Sequence, residues 1–301
     1  MRMLITTIII LVGVAYAEKF SAGLNVGYGS TTQWYDTSGK AQDFDGTFSI
    51  LNLGLNAKYY ILSPEIGPKV YAGVDFKFSQ HQLSFSLLGA SVSVSSGFSP
   101  QYLNLLLGGS YLFFNGFVGF QVDLGPKASE DKWLNSDRQN AVLIGLGANV
   151  PFMAGAGDFH ANVNYALTLE KTEDNVKYDL GDQLALIVGG GYKFGISEVA
   201  SFSLGLDLIY RLKTEGKAEV KVENTTVSYS FNSSSNFSIM PYLKYKTGPI
   251  SVWAKLGVAD EYGYYGFSIM GKSSNAALLG IPSASSLVTR LGITAGLNVS
   301  Y

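Results

Sequence analysis

The chain has 301 residues, of which 47% are hydrophobic and only 15% are charged, and its formal net charge is −2 at pH 7. This near-neutral balance argues against a nucleic-acid partner, which would need a strongly basic surface. The chain contains no cysteine, so neither a disulfide nor a thiolate site is expected.

The first 17 residues have the pattern of an export signal. Arg2 precedes an apolar block at residues 4–14, and Ala15, Tyr16 and Ala17 form an A-x-A cleavage site. The apolar block is too short to span a membrane as a helix. We therefore expect residues 1–17 to be a signal peptide and residues 18–301 to form a single domain.

Twelve runs of about ten residues follow, and in each run every second residue is apolar or aromatic. In the last run, for example, Leu291, Ile293 and Ala295 alternate with Gly292 and Thr294. Such alternation predicts a β-strand with one apolar face, and a run of this length can cross the hydrocarbon of a bilayer at a tilt. The runs lie at residues 20–28, 51–59, 70–78, 103–113, 118–124, 142–152, 159–169, 184–194, 202–212, 239–245, 250–258 and 291–301.

The connections between the runs alternate in length. Short ones contain turn signals, of which Asn115-Gly116 is the strongest for a two-residue hairpin. Short turns on one side, long loops on the other and an even strand number predict an all-β fold, a transmembrane antiparallel up-and-down β-barrel of about 12 strands. The long connections are 30–46, 79–100, 126–140, 171–182, 214–236 and 260–286, and the short ones are 63–68, 115–116, 154–158, 195–199 and 247–249.

Two features leave details of the barrel open. Apolar and polar residues also alternate within two of the long connections, at residues 83–94 and 220–231. Strands could therefore continue above the membrane, and counts of ten or fourteen strands stay open. Pro241 lies within the tenth run, where its missing N–H disturbs a closed ladder. We expect a β-bulge at Met240-Pro241.

The chain from residue 18 onward resembles the bacterial outer-membrane β-barrel class and is porin-like, without matching a narrower family. The resemblance is most specific at residues 291–301, which look like the C-terminal β-signal, an alternating strand that ends in an aromatic residue. Leu297, Val299 and Tyr301 would carry this assembly signal. The resemblance implies insertion by the barrel-assembly machinery into the outer membrane of a Gram-negative bacterium, in contact with outer-membrane lipid and lipopolysaccharide.

The inward faces of the predicted strands carry the candidate functional residues. Basic side chains outnumber acidic ones there, although the whole chain is slightly acidic. Such a wall predicts a water-filled lumen that favours anions, while the alternative is a network of salt bridges that closes a narrow barrel. The predicted pore-lining residues are Lys58, Asp75, Lys77, Lys193, Asp207, Arg211, Lys244, Lys255 and Arg290.

His81 lies in the second long connection and raises the alternative of a hydrolase at the outer rim. Ser79 and Ser84 would be the candidate nucleophiles, and Asp43 or Asp45 the residue that orients the histidine. Because the spacing brings none of them together by itself, we expect a solvated loop histidine and no enzyme.

The remaining motifs predict no cofactor and no metal site. Residues 266–273 match the phosphate-binding loop G-x-x-x-x-G-K-S formally, but they lie in a predicted external loop, where we expect Gly271 and Lys272 to form a turn. His160 follows Asp158 near a short turn and is expected to face the lumen.

The leading hypothesis is a channel for passive diffusion of small hydrophilic solutes, with a slight anion preference. The second is a closed structural or adhesive barrel that binds partners through its long extracellular loops. A hydrolase that uses His81 is a distant third. The sequence identifies neither the solute nor the oligomeric state.

Overall fold

The structure is a computed structural model, and its main feature is a closed barrel of twelve antiparallel strands. Each strand pairs with its neighbours along the chain, and β12 pairs with β1 over residues 21–30, which closes the ring. The strands are β1 (Phe20–Tyr35), β2 (Ala41–Leu62), β3 (Lys69–Leu87), β4 (Ser99–Tyr111), β5 (Phe114–Asp123), β6 (Ala141–Phe152), β7 (Gly157–Thr168), β8 (Gln183–Gly195), β9 (Ala200–Lys213), β10 (Ser234–Thr247), β11 (Ile250–Leu256) and β12 (Leu291–Ser300). The described residues are 20–35, 41–64, 67–87, 90–95, 97–125, 139–173, 176–179, 181–195, 200–222, 225–231, 233–256, 258–260, 263–265, 267–272 and 291–300.

The predicted all-β barrel and its count of twelve strands are confirmed. Several barrel strands are longer than the runs that predicted them, and β2 and β3 are extended the most. β2 begins at Ala41, and β3 extends to Leu87 and pairs with the short strand Ala90–Ser95. The predicted signal peptide lies outside the described residues.

Two long connections combine into a second sheet beyond the barrel. It has four strands, in the spatial order Thr225–Phe231, Gly216–Val222, Val176–Asp179 and Lys171–Glu173. The loop after β7 therefore pairs with the loop after β9. This sheet lies at the end of the barrel opposite the short turns, which is the extracellular end in outer-membrane barrels.

The turn between β4 and β5 does not use the predicted Asn-Gly pair. Leu112 and Phe113 form the turn, whereas Asn115 and Gly116 are strand residues of β5. Leu112 takes up a left-handed φ of 53°, which glycine or asparagine adopts more easily. The prediction was wrong because the pairing of all residues along the two strands sets the position of the turn. In the observed pairing, β5 ends at Asp123, before Pro126.

Pro241 lies at an interruption in strand pairing. β9 pairs with β10 through Pro241 without a register shift, so the predicted bulge at Met240-Pro241 is wrong. On its other side, β10 pairs with β11 from Tyr242 onward and with the strand Phe267–Lys272 only up to Ile239. Among the described residues, Pro241 therefore has no partner on the β11 side of β10. A residue without an N–H is tolerated at such an interruption.

The outer surface of the barrel is a continuous apolar belt. Leu146 is 66% exposed, and Leu107 and Ile293 are each 52% exposed, on three well-separated strands. No protein layer covers these side chains in the part of the chain that the structure describes, so lipid is the medium that they require. Exposed aromatic side chains gather near the short turns, as expected for an interfacial girdle: Tyr59, Tyr111, Phe113, Phe114, Phe152, Phe159, Tyr192, Phe194 and Tyr245. Within the described residues, no helix is long and apolar enough to cross a membrane.

Candidate functional site

The candidate site is the lumen, which differs between its two halves. Near the short turns, at the periplasmic end, inward side chains such as Asn149, Lys193 and Lys244 are exposed to solvent. Toward the extracellular end, a layer of inward side chains is buried. The periplasmic half is therefore a wet vestibule, and the lumen is more crowded toward the extracellular end.

Eight inward residues form a buried layer in the extracellular half. Ser79 and Gln101 have no exposed surface, and Ile209 and Met240 are each 3% exposed. Ser79 Oγ donates a hydrogen bond to Asn52 Oδ1 over 2.6 Å. Their burial shows that the inner wall is more closely packed at this level than near the short turns. The buried layer consists of Ile50, Asn52, Ser79, Ser99, Gln101, Ile209, Ser238 and Met240.

A cluster of four charged or titratable side chains, the histidine cluster, lies on one wall of the lumen. His160 of β7 contacts Asp158 through Nδ1 at 3.2 Å and Asp207 of β9 through Nε2 at 3.0 Å. Lys255 of β11 reaches over β10 and donates from Nζ to Asp207 Oδ2 at 2.7 Å. The Asp207 side chain is only 5% exposed, so its charge depends on these two partners.

Gly189 of β8 makes the histidine cluster sterically possible. It is the ladder partner of both His160 and Asp207, so these two side chains approach each other directly over it. A Cβ at this position would lie 2.5 Å from Asp207 Oδ1 and 2.6 Å from His160 Nε2. The absence of a side chain at Gly189 is therefore what lets β7 and β9 share a hydrogen bond across β8.

A second charged cluster lies on the wall formed by β2, β3 and β4. Asn104 Nδ2 donates to Asp75 Oδ2 at 3.5 Å. Lys58 Nζ lies 4.7 Å from the ring centre of Tyr71, within reach of a cation–π interaction. Lys77, on the same strand as Asp75, is 7% exposed and also contacts an aromatic ring. Three of the predicted pore-lining residues thus share one wall.

The periplasmic mouth is basic. Four inward lysines at this end are exposed, and within the described part of the chain none makes an ion pair shorter than 4 Å. Their charges therefore remain available to the solution in the vestibule. These lysines are Lys69, Lys193, Lys244 and Lys246.

Aromatic side chains lie flat on the vestibule wall, each over a glycine of a neighbouring strand. A Cβ at Gly205 would lie 2.2 Å from Tyr242 Cζ, and one at Gly296 would lie 2.4 Å from Trp253 Cζ2. In each case the aromatic residue and its glycine are direct ladder partners. Because the rings lie along the wall, they leave the centre of the vestibule open. The pairs are Tyr71 with Gly108, Phe117 with Gly145, Tyr242 with Gly205, and Trp253 with Gly296.

All the predicted pore-lining residues that the structure describes lie on inward strand faces. Lys193 and Lys244 line the vestibule, Arg211 lies near the extracellular end of β9, and Asp207 and Lys255 meet in the histidine cluster. Arg290 lies outside the described residues. The prediction omitted Tyr242 and Trp253, although each lies two positions before a predicted inward lysine and so shares its face.

The assignments for the hydrolase are not supported by the positions of its residues. Ser79, His81 and Ser84 were predicted in a loop, but they lie in β3. Ser79 is completely buried against Asn52, and Ser84, on the opposite strand face from Ser79, contacts Ser93 Oγ at 3.1 Å. Ser79 is therefore not available as a nucleophile.

The formal phosphate-binding motif lies on an antiparallel strand. Phe267–Lys272 pairs with the extracellular part of β10, so the turn expected at Gly271 and Lys272 is wrong. A phosphate-binding loop would follow a buried parallel strand, and this strand pairs antiparallel. Of the predicted assembly signal, Leu297 and Val299 lie on the outward face of β12, and Tyr301 lies outside the described residues.

Comparisons with known proteins relate this chain to others by fold. No family model matches the chain, and no curated protein matches it. Among solved structures, it is similar to an outer-membrane channel from Pseudomonas putida F1, with a TM-score of 0.58 and 11% identity, over 94% of this chain and 96% of that one.

Two further structures resemble the chain more distantly. A FadL homologue from Pseudomonas aeruginosa aligns with a TM-score of 0.38 and 11% identity over 96% of this chain and 91% of the other. The transport unit of the autotransporter AIDA-I from Escherichia coli aligns with a TM-score of 0.40 and 10% identity over 95% and 91%. The likeness to the Pseudomonas putida channel shows that the chain has the fold of the bacterial outer-membrane β-barrels. Its apolar belt agrees with a location in the outer membrane.

Proposed function

We propose that this barrel is a porin-like channel for passive diffusion of small hydrophilic solutes, with a slight preference for anions. The observation that carries the proposal is the basic vestibule, where Lys69, Lys193, Lys244 and Lys246 are exposed and, among the described residues, make no ion pair shorter than 4 Å. A cationic, hydrated wall attracts anions and repels cations.

The two charged clusters support the same function. They hold Asp75 and Asp207 beside lysines, so the acidic groups inside the barrel are largely neutralised while the vestibule lysines are not. The net field in the vestibule is therefore positive. The buried layer would limit passage to small solutes.

Single-channel recording tests this proposal. Purified protein in a planar bilayer should give discrete conductance steps, and a salt gradient should give a reversal potential of the sign expected for anion preference. The triple variant K193E/K244E/K246E should move the reversal potential toward cation preference, because it replaces three vestibule charges with opposite ones.

The matched control is Lys217→Glu, since Lys217 lies in the extracellular sheet and pairs with Glu219 at 3.2 Å. It should leave the reversal potential unchanged. Absence of conductance steps at every voltage would refute the channel, and an unchanged reversal potential in the triple variant would refute the role of the vestibule lysines.

The extracellular sheet favours a second candidate function, a closed barrel that binds outside partners. The sheet is tied to the rim of the barrel by ordered contacts: Lys177 Nζ lies 2.8 Å from Glu170 Oε2, and Thr168 N donates to Asp182 Oδ1 at 3.0 Å. The hydrogen bond from Lys177 also lowers the pKa of the Glu170 carboxyl. Replacing residues 216–231 by a short turn should abolish cell attachment and leave permeability unchanged if this function is the correct one.

A further inference from the structure

Trp253 offers a flat aromatic surface to the vestibule. Its ring lies against Gly296 of β12, with Cζ2, Cε2 and Nε1 all within 2.8 Å of the position that a Cβ would occupy there. The indole Nε1 donates to the Asn298 side-chain oxygen at 3.2 Å once that amide is oriented to accept. One face of the ring is thus held on the wall, and the Lys255 ammonium group lies 6.0 Å from the ring centre.

A second lysine, Lys244, lies beside this surface. Lys244 of β10 is the ladder partner of Trp253, is exposed, and within the described residues makes no ion pair shorter than 4 Å. Lys255, two residues after Trp253, is by contrast neutralised by Asp207 at 2.7 Å. The two lysines near the ring therefore differ, because Lys255 has a short ion pair and Lys244 does not.

We infer that Trp253 and Lys244 form a binding subsite for aromatic carboxylates inside the vestibule. A planar ring stacks on the Trp253 indole, and its carboxylate binds the Lys244 ammonium group. Asp207 and Asp158, which could accept hydrogen bonds from sugar hydroxyls, are already engaged by His160 and Lys255. An aromatic carboxylate therefore fits Trp253 and Lys244 better than a neutral saccharide does. The inference rests on the proposed function, since it names a solute class for the same lumen.

Current block by benzoate tests the subsite. Benzoate added on the vestibule side should reduce the single-channel current in a concentration-dependent manner. Cyclohexanecarboxylate has the same charge and a similar size but no flat ring, so it should block at about tenfold higher concentration, since one stacking contact is lost. Equal block by the two acids would overturn the role of Trp253.

Variants separate the two contacts. Trp253→Leu should weaken benzoate block about tenfold and leave cyclohexanecarboxylate block nearly unchanged, whereas Lys244→Gln should weaken both. Phe117→Leu is the matched control, because Phe117 also lies flat over a glycine, Gly145, but on the opposite part of the wall. Benzoate block that is the same in Trp253→Leu as in the unaltered protein would refute the subsite.

Two further measurements keep the outcomes distinct. Trp253→Phe retains a ring and should keep most of the benzoate block if Trp253→Leu does not fold. If the unaltered protein gives no conductance steps, the channel proposal fails, and calorimetric titration of the detergent-purified protein with benzoate then tests the subsite alone. Heat released by benzoate, reduced in Lys244→Gln and largely retained in Trp253→Phe, supports the subsite, and no heat from benzoate refutes it.

Discussion

At the scale of single residues, glycines decide which charged side chains meet in this barrel. His160 and Asp207 belong to strands separated by β8, and they contact each other because Gly189 leaves room between them. Tyr242 and Trp253 likewise lie flat because their ladder partners are Gly205 and Gly296. The positions of the functional side chains therefore depend on residues that have no side chain.

We predict that Gly189→Ala destabilises the barrel by about 1–3 kcal/mol. The added Cβ would meet not only the two side chains but also the backbone oxygen of Leu206 at 2.7 Å, which cannot move without breaking the ladder. Unfolding by urea in lipid vesicles measures the effect. Gly195→Ala on the same strand is the control: nothing lies within 4 Å of its Cβ position, so its stability should not change.

Asp207 should contribute more to stability than Asp158, although both contact His160. Asp207→Asn removes a charge that is 5% exposed and leaves Lys255 without its partner, so we expect a loss of about 2 kcal/mol. Asp158 is 41% exposed, and Asp158→Asn should have little effect on the same urea titration. Equal effects of the two substitutions would contradict this account of the cluster.

At the scale of strands, alternation and pairing have different roles. Alternation determines the face on which a residue lies, and this was readable in every run. Pairing between strands determines where a strand turns, and the local turn sequence Asn115-Gly116 predicted the wrong position. The β4–β5 hairpin turns at Leu112 and Phe113. A ladder of ten residue pairs outweighs the preference of two turn residues.

The facing of a strand can be tested with adjacent substitutions at the same depth. Val163 of β7 is on the outer belt and is 46% exposed, and Asn162 is its inward neighbour. Val163→Arg should destabilise the barrel by about 2 kcal/mol or more, because the charge enters lipid, while Asn162→Arg places the same charge in the lumen and should be tolerated. Vesicle unfolding of both variants compares the two faces, and the opposite order would mean that β7 is facing the other way.

At the scale of the whole molecule, the barrel combines a wet vestibule with a narrow buried layer. The vestibule carries the free lysines, and the layer carries close-packed side chains such as Ile209 and Met240. Charge preference and size limit are therefore assigned to different levels of the lumen. They should change independently when either level is altered.

Widening the buried layer should raise conductance without changing ion preference. We predict that I209A/M240A increases the single-channel current, because it removes two inward side chains that are each 3% exposed, while the reversal potential stays the same. Leu208→Ala, an adjacent change on the outward face, should leave the current unaltered. A fall or no change in current in the double variant would show that this layer is not the narrow part of the path.

The sequence by itself predicted about twelve barrel strands and the inward and outward faces of those strands, because a period of two depends only on neighbours along the chain. The tertiary structure alone decided which lining residues meet. Asp207 and Lys255 are 48 residues apart, and His160 and Asp207 are 47 apart, so their contacts depend on the register of strands between them. It also decided that two long loops form one sheet and that Pro241 lies at an interruption in pairing. Register is a cooperative property of a closed ring of hydrogen bonds, and no local stretch of sequence contains it.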